Sequence, residues 1–311
     1  MTVSKTSDPE LQLKKNKRLI LRRQRIAPYI FVLPFILSFS IFFLYPIIST
    51  VIMSFQEILG PQDIKFIGLK NYKTMINVHF FNALSVTTRY TFWTILVLVP
   101  IPMVLAVFLN RQRTIGRNFF RSAFFVPALT SVIVAGLFFR LAFGEQDTTL
   151  VNMLLGVFGV EKRAWLQQRQ TAMLVMVILC TWRWLGVNIV YFLSGLQSIP
   201  AELYESASID GANEWQKLLK ITVPGLQPVI IYVVTISVYG GYAMFAESYI
   251  LFGARSPGDM GLTLVSLIYQ KGFFENNFGI GSALGITLLF IVMVVNILQL
   301  TVTGFFKKES D

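Results

Sequence analysis

The sequence predicts an all-α polytopic membrane protein: six transmembrane helices with a helix-turn-helix loop between the fourth and fifth. Three observations predict it. The 311 residues are 54% hydrophobic and 14% charged, with mean hydropathy +0.62, against roughly 45–50% apolar and about 25% charged in soluble domains. Six segments reach the roughly 20 apolar residues that a helix needs to cross a hydrocarbon core about 30 Å thick. One stretch between them, about 197–228, is polar and rich in turn residues, so it stands in water.

The chain opens on a basic tail, 1–29, with Lys5, Lys14, Lys15, Lys17, Arg18, Arg22, Arg23 and Arg25. Basic followed by apolar is also the order of a signal peptide. The charge-free run Ile26–Gln56 is 31 residues long, however, well beyond the roughly 7–15 apolar residues of such a peptide, and no small-x-small pattern closes it. It reads as an uncleaved first span near 30–53. The others fall near 88–109, 122–143, 171–194, 229–252 and 281–303, and a short tail, 304–311, ends the chain.

Orientation follows from Lys and Arg between the spans. With both termini in the cytoplasm, the inner segments hold the tail cations plus Arg111, Arg113, Arg117, Arg121, Lys217, Lys220, Lys307 and Lys308. The outer loops hold half as many: Lys65, Lys70, Lys73, Lys162, Arg163, Arg169, Arg255 and Lys271. That bias also explains the net charge of +11 as a topology signal and argues against a nucleic-acid partner. One Cys (Cys180) and one His (His79) exclude a disulfide framework and a Cys/His metal cluster; His79 reads as a surface loop residue.

Pro34, Pro46, Pro100, Pro102, Pro127 and the pair Gly240-Gly241 fall inside spans, where kinks are expected, whether for packing or as hinges. With no internal repeat and no low-complexity linker, 30–303 reads as a single membrane domain.

The polar loop has its own grammar. Ile199-Pro200 opens a short helix near 201–209, with Glu202 and Glu205 in its first turns. Asp210-Gly211 is a turn signal. From Asn213, a natural N-cap, Trp215, Leu218, Leu219 and Thr222 recur at helical spacing up to Pro224. Such a hairpin could bind lipid headgroups, but Glu202, Glu205, Asp210 and Glu214 outnumber Lys217 and Lys220, and anionic lipid would repel it. An apolar stripe on an acidic hairpin suits a protein groove.

Glu205, Ala207, Gly211, Ile221 and Pro224 have the spacing of a known motif. The loop resembles the EAA loop of binding-protein-dependent ABC importer permeases, with Ser206 in place of the usual first Ala and Val223 in place of the usual Leu. The resemblance extends to the carbohydrate subgroup through Gly195, Leu196, Gln197, Ile199 and Pro200. It includes the outer-loop run Phe66-Ile67-Gly68-Leu69-Lys70-Asn71-Tyr72, and also Pro34, Tyr45-Pro46, Arg121 with Pro127, and Asn276–Ala283. It implies that the loop couples this chain to an ATPase through Glu205, Ser206, Ala207, Asp210, Gly211, Ile221 and Pro224. It further implies a second homologous permease, two ATPase subunits that bind ATP and Mg, an extracytoplasmic sugar-binding protein touching the 54–87 loop, and residence in the bacterial inner membrane. The cargo implied is a sugar, with a malto- or arabino-oligosaccharide favoured. No Gly-Lys dipeptide occurs here, so this chain lacks a phosphate-cradling loop of its own and needs no cofactor.

Ionisable residues within spans mark functional sites or mutual pairing. Arg183, between Trp182 and Trp184, and Glu247 either pair or line a wet cavity. Sugars are held by aromatic stacking and hydrogen bonds, which adds Trp184, Asn188, Tyr239, Tyr242 and Tyr249 as pathway candidates; ordinary packing or an interfacial belt is the plainer role for each aromatic. Two rival classes are a membrane enzyme acting on lipid-linked sugars and an ion-driven carrier or channel. The first would need facing acids or a nucleophile with its base, and the scattered carboxylates offer neither.

Overall fold

Helix length here follows the apolar runs, and helix breaks follow proline and glycine. The computed structural model describes residues 27–60, 63–111, 115–254 and 256–305. The basic tail before residue 27, Arg113, Arg255 and the C-terminal residues with Lys307 and Lys308 lie outside the described residues.

The chain divides into two compact units, Met1–Ile52 and Met53–Asp311. Helix α1 (Ala27–Ser54), all but its last two residues in the first unit, has no buried residue in its apolar window. A π-helical turn, Ser40–Leu44, ends just before Tyr45-Pro46. Pro46 has no N–H for the carbonyl one turn back, and a wider turn is how a helix absorbs that gap.

In the second unit a two-stranded antiparallel hairpin comes first, β1 (Gln56–Gly60) and β2 (Asp63–Phe66), paired in register from Gln56 opposite Phe66. It departs from the all-α expectation, because a hairpin this short leaves too brief an alternating pattern to read. Helix α2 (Lys70–Met75) follows. The buried Asn71 amide donates to the Ser54 carbonyl at 2.9 Å and the Gln56 carbonyl at 2.8 Å, and the Tyr72 hydroxyl donates to Ser54 Oγ at 2.8 Å. The Phe55 ring packs on both Phe66 and Tyr72. The outer-loop motif is therefore a clasp that holds its own backbone.

Helix α3 (Val78–Asn110) runs 33 residues and begins ten residues before the expected span. Asn77 caps it, accepting from the His79 and Phe80 amides. His79 thus lies in a helix rather than a loop, and its ring bonds Asp259 at 2.7 Å. The third expected span is two helices, α4 (Arg117–Leu129) and α5 (Val132–Ala142), set at 95°. The kink lies where Pro127 deletes a helical donor, and the Thr130 hydroxyl caps the Pro127 carbonyl.

After a short helix α6 (Leu150–Val157) comes α7 (Arg169–Leu196), whose buried face serves two of the three hydrophobic clusters. One cluster joins α3, α5 and α7 around Tyr90, Phe139 and Met176. Another, around Ile189, Phe192 and Leu226, closes the opposite end of α7. Gly186 of α7 lies against the Phe124 backbone of α4, where any Cβ would overlap the carbonyl.

Two short helices follow, α8 (Ala201–Ile209) and α9 (Glu214–Gly225), with α9 meeting α10 (Gln227–Tyr242) at 67°. The expected fifth span, 229–252, is broken between α10 and α11 (Ala246–Phe252), two residues beyond Gly240-Gly241. A short helix α12 (Leu264–Tyr269) with a π turn Gln270–Phe274 leads to α13 (Phe278–Val302). The third cluster joins α3, α10, α12 and α13 around Phe80, Tyr242 and Leu267. Among the described residues four helices are long and apolar enough to cross a membrane, or up to six if each bent pair is one span.

Candidate functional site

Helices α8 and α9 form a hairpin with a defined turn. The amide of Asp210 donates to the Ser206 carbonyl, that of Gly211 to Ser208 and that of Ala212 to Ala207, which ties off the end of α8. Gly211 has φ +80°, a left-handed conformation that costs an L-residue about 1–2 kcal/mol. Asn213 then opens α9 with a reciprocal capping box: its side chain accepts from the Gln216 amide at 2.8 Å while Gln216 Oε1 accepts from the Asn213 amide at 2.9 Å. Tyr204 and Thr222 hydroxyls, 2.9 Å apart, bind the two arms together.

The hairpin exposes apolar surface: Ile209 is 87% exposed and Trp215 66%. Ala207, Asp210, Gly211 and Ile221 come together around a cleft of about 410 Å³ that Lys217 and Lys220 also line. Glu205, Ser206 and Pro224 are exposed but lie outside that lining. Glu214 reaches back to Arg111 at the end of α3, at 2.8 Å, over a second cleft of about 550 Å³. Sequence reading missed Gln216, although the Asn-x-x-Gln spacing announces a capping box. It also missed Arg111–Glu214, whose partners stand 103 residues apart and leave no local signal.

The span candidates are more dispersed. Arg183 Nη1 and Glu247 Oε1 lie 3.0 Å apart, with side chains only 13% and 12% exposed, so the two ionisable residues do pair. The Arg183 guanidinium also sits over the Trp184 ring, 5.8 Å from its centre. Arg183 Nε is buried and has no hydrogen-bond partner among the described residues. Asn188 is buried and donates to the Leu98 carbonyl at 2.8 Å. That carbonyl would otherwise accept from the residue four positions on, which is Pro102 and has no N–H. Asn188 therefore repairs the α3 kink. Tyr242 is buried, its hydroxyl 3.0 Å from that of Thr88, whereas Tyr239 is 65% exposed. Tyr249 packs against Phe245 and Tyr269. The structure thus joins Arg183, Trp184 and Glu247 and places Asn188, Tyr239, Tyr242 and Tyr249 elsewhere. Among the described residues no group of three or more His, Cys, Asp or Glu side chains could hold a metal.

A family model described as "binding-protein-dependent transport system inner membrane component" matches residues 98–304, two thirds of the chain. The chain belongs to that family. The permease is 53% identical over 287 residues to the arabinooligosaccharides transport system permease protein AraP of Bacillus subtilis (strain 168), a match covering 92% of this chain and 91% of that one. It is 47% identical over 304 residues to the AraP of Halalkalibacterium halodurans, covering 97% and 96%. Its fold matches a chain from the crystal structure of a bacterial alginate ABC transporter in complex with alginate pentasaccharide-bound periplasmic protein. The TM-score there is 0.81, at 23% identity, covering 94% of the permease and 99% of that chain. The permease is accordingly a multi-pass membrane transport subunit, and its relatives are named as transport proteins rather than enzymes.

Proposed function

We propose that this permease carries an arabinose-containing oligosaccharide across the bacterial inner membrane, driven by ATP hydrolysis on other subunits. The cargo is supported by the names of relatives at 53% and 47% identity. The observation that carries the coupling is the exposed hairpin of α8 and α9, whose apolar side chains and turn cleft have the shape of a surface that fills a groove. In this reading the bent pair α4–α5 counts as one span and α10 as another, giving six with the four long helices, with both termini and the hairpin in the cytoplasm. The permease pairs with a second, homologous permease and with two ATPase subunits that hold ATP and Mg²⁺, and an external binding protein delivers the saccharide.

The hairpin transmits force because α9 continues into α10 through a fixed 67° bend rather than a slack linker. Closure of the ATPase pair would displace α9 as a lever and tilt α10 and the residues packed on it. Such a device is a two-state element biased from a distance. Pathway residues come from the Arg183–Glu247 pair with Trp184, and separately from Asn188, Tyr239, Tyr242 and Tyr249.

The sole cysteine, Cys180, is buried, so an introduced cysteine can be labelled selectively. Ser208→Cys should react with a membrane-impermeant maleimide in inside-out vesicles and not in intact cells, and should crosslink to the ATPase. Labelling from the cell exterior would overturn the assignment.

A further inference from the structure

Five aromatic rings form one unbroken series on the segment that follows the α10–α11 break. Phe245, the residue that precedes α11, and Tyr249 on α11 pack on each other at 5.3 Å between ring centres, and both pack on Tyr269 of α12, at 5.1 and 5.4 Å. Tyr269 stacks on Phe273 at 5.8 Å with planes 24° apart, and Phe273 meets Phe278, the first residue of α13, at 6.0 Å. The series crosses three helices, so no single helical repeat produced it. It is also accessible: Tyr249 is 37% exposed, Phe273 64% and Phe278 40%.

Two further features separate this surface from an ordinary interfacial belt of aromatics, in which rings anchor singly at headgroup depth. The π turn Gln270–Phe274 lies within the series, and a π turn re-aims side chains at a cost that functional sites repeatedly bear. Between Tyr269 and Phe278 in the chain stand polar side chains: Lys271 bonds Glu275 at 2.8 Å, and Gln270 reaches the same carboxylate at 3.4 Å. Apolar faces with hydrogen-bonding groups at their margin match the two faces of a sugar ring, whose C–H surface stacks while its hydroxyls seek donors and acceptors. A lipid chain would use the rings and leave those polar groups without purpose.

We propose that Phe245, Tyr249, Tyr269, Phe273 and Phe278 form a stacking track for the sugar rings of the transported oligosaccharide. Tyr249 is the one member that sequence reading had singled out. The track rests on the saccharide reading given above and adds to it a reason for preferring oligomers to single sugars, because several rings in series can engage several residues of one chain.

The test uses the full complex, with its second permease, ATPase and binding protein, in lipid vesicles, and follows uptake of a short and a longer arabino-oligosaccharide. Phe273→Ala, at an exposed position that leaves no internal cavity, is expected to lower kcat/KM at least tenfold for the longer substrate and less for the shorter. Phe273→Tyr, which keeps the ring, should restore it. Co-purification of the ATPase with each variant separates lost assembly from lost transport; if Phe273→Ala does not assemble, Phe278→Ala carries the same expectation. Uptake within twofold of wild type for both alanine variants overturns the track and leaves the saccharide reading standing, as does an equal loss in the alanine and tyrosine variants. No saccharide uptake by the wild-type complex overturns both.

Discussion

Removing one partner of the Arg183–Glu247 pair is the perturbation with the clearest energetic consequence. The charged atoms are 3.0 Å apart and the side chains only about one-eighth exposed. At an effective dielectric constant of about 20, two unit charges at this separation attract by about 5–6 kcal/mol. Much of that offsets desolvation, so replacing both residues together is mild while leaving one charge behind costs about 3–5 kcal/mol. Arg183→Ala and Glu247→Ala should each destabilise by that amount, a fall of roughly 6–20 °C in the melting temperature at about 2–4 °C per kcal/mol. The double variant should recover at least about 2 kcal/mol relative to the sum of the two. Thermal unfolding of the four purified proteins in detergent gives the coupling, and uptake by the same four complexes shows whether transport follows it. Strictly additive losses, or single variants as stable as wild type, would refute the energetic importance of the pair. A double variant that regains stability without regaining uptake would place the pair on the pathway as well as in the scaffold.

Gly211→Pro removes the amide that donates to Ser208 and cannot adopt φ +80°; the expected result is normal membrane insertion with loss of uptake and of ATPase co-purification, and normal uptake would end the docking interpretation. Gly186→Leu pushes a side chain into the Phe124 carbonyl of α4, so the protein should be depleted from membranes or melt far lower, read by immunoblot and thermal scan. Asn188→Leu strands the buried Leu98 carbonyl, a loss of about 1–3 kcal/mol, and unchanged melting would show that another donor takes its place. Trp215→Ala removes a side chain that is 66% exposed. It should leave the melting temperature of the isolated permease unchanged while weakening ATPase capture on an affinity column.

What could be read from sequence was whatever chemistry writes locally. The hairpin was legible because Asp210-Gly211, Asn213 and Pro224 each have one dominant backbone use, and the structure places turn, cap and bend where those residues stand. Apolar length located the long helices but misjudged α3, which Asn77 starts ten residues early with amphipathic sequence that a hydropathy count ignores. The 95° break after Pro127 was legible as a kink and not as an angle, since the angle depends on what α4 and α5 pack against. Pairings across long separations, Arg111 with Glu214 or His79 with Asp259, leave nothing in a single sequence to find. Arg183 and Glu247 were the exception, because two stray charges in oil have few ways to survive apart from each other.

The bond from Asn188 to Leu98 has a mechanical consequence. Sliding α7 along α3 by a full helical turn, about 5.4 Å, would part the buried Asn188 amide from the Leu98 carbonyl and leave both unpaired. Translation of that size costs about 1–3 kcal/mol for the unpaired buried groups, a cost that any motion keeping the 2.8 Å contact avoids. Asn188 is therefore a peg that sets the height of one long helix against the other.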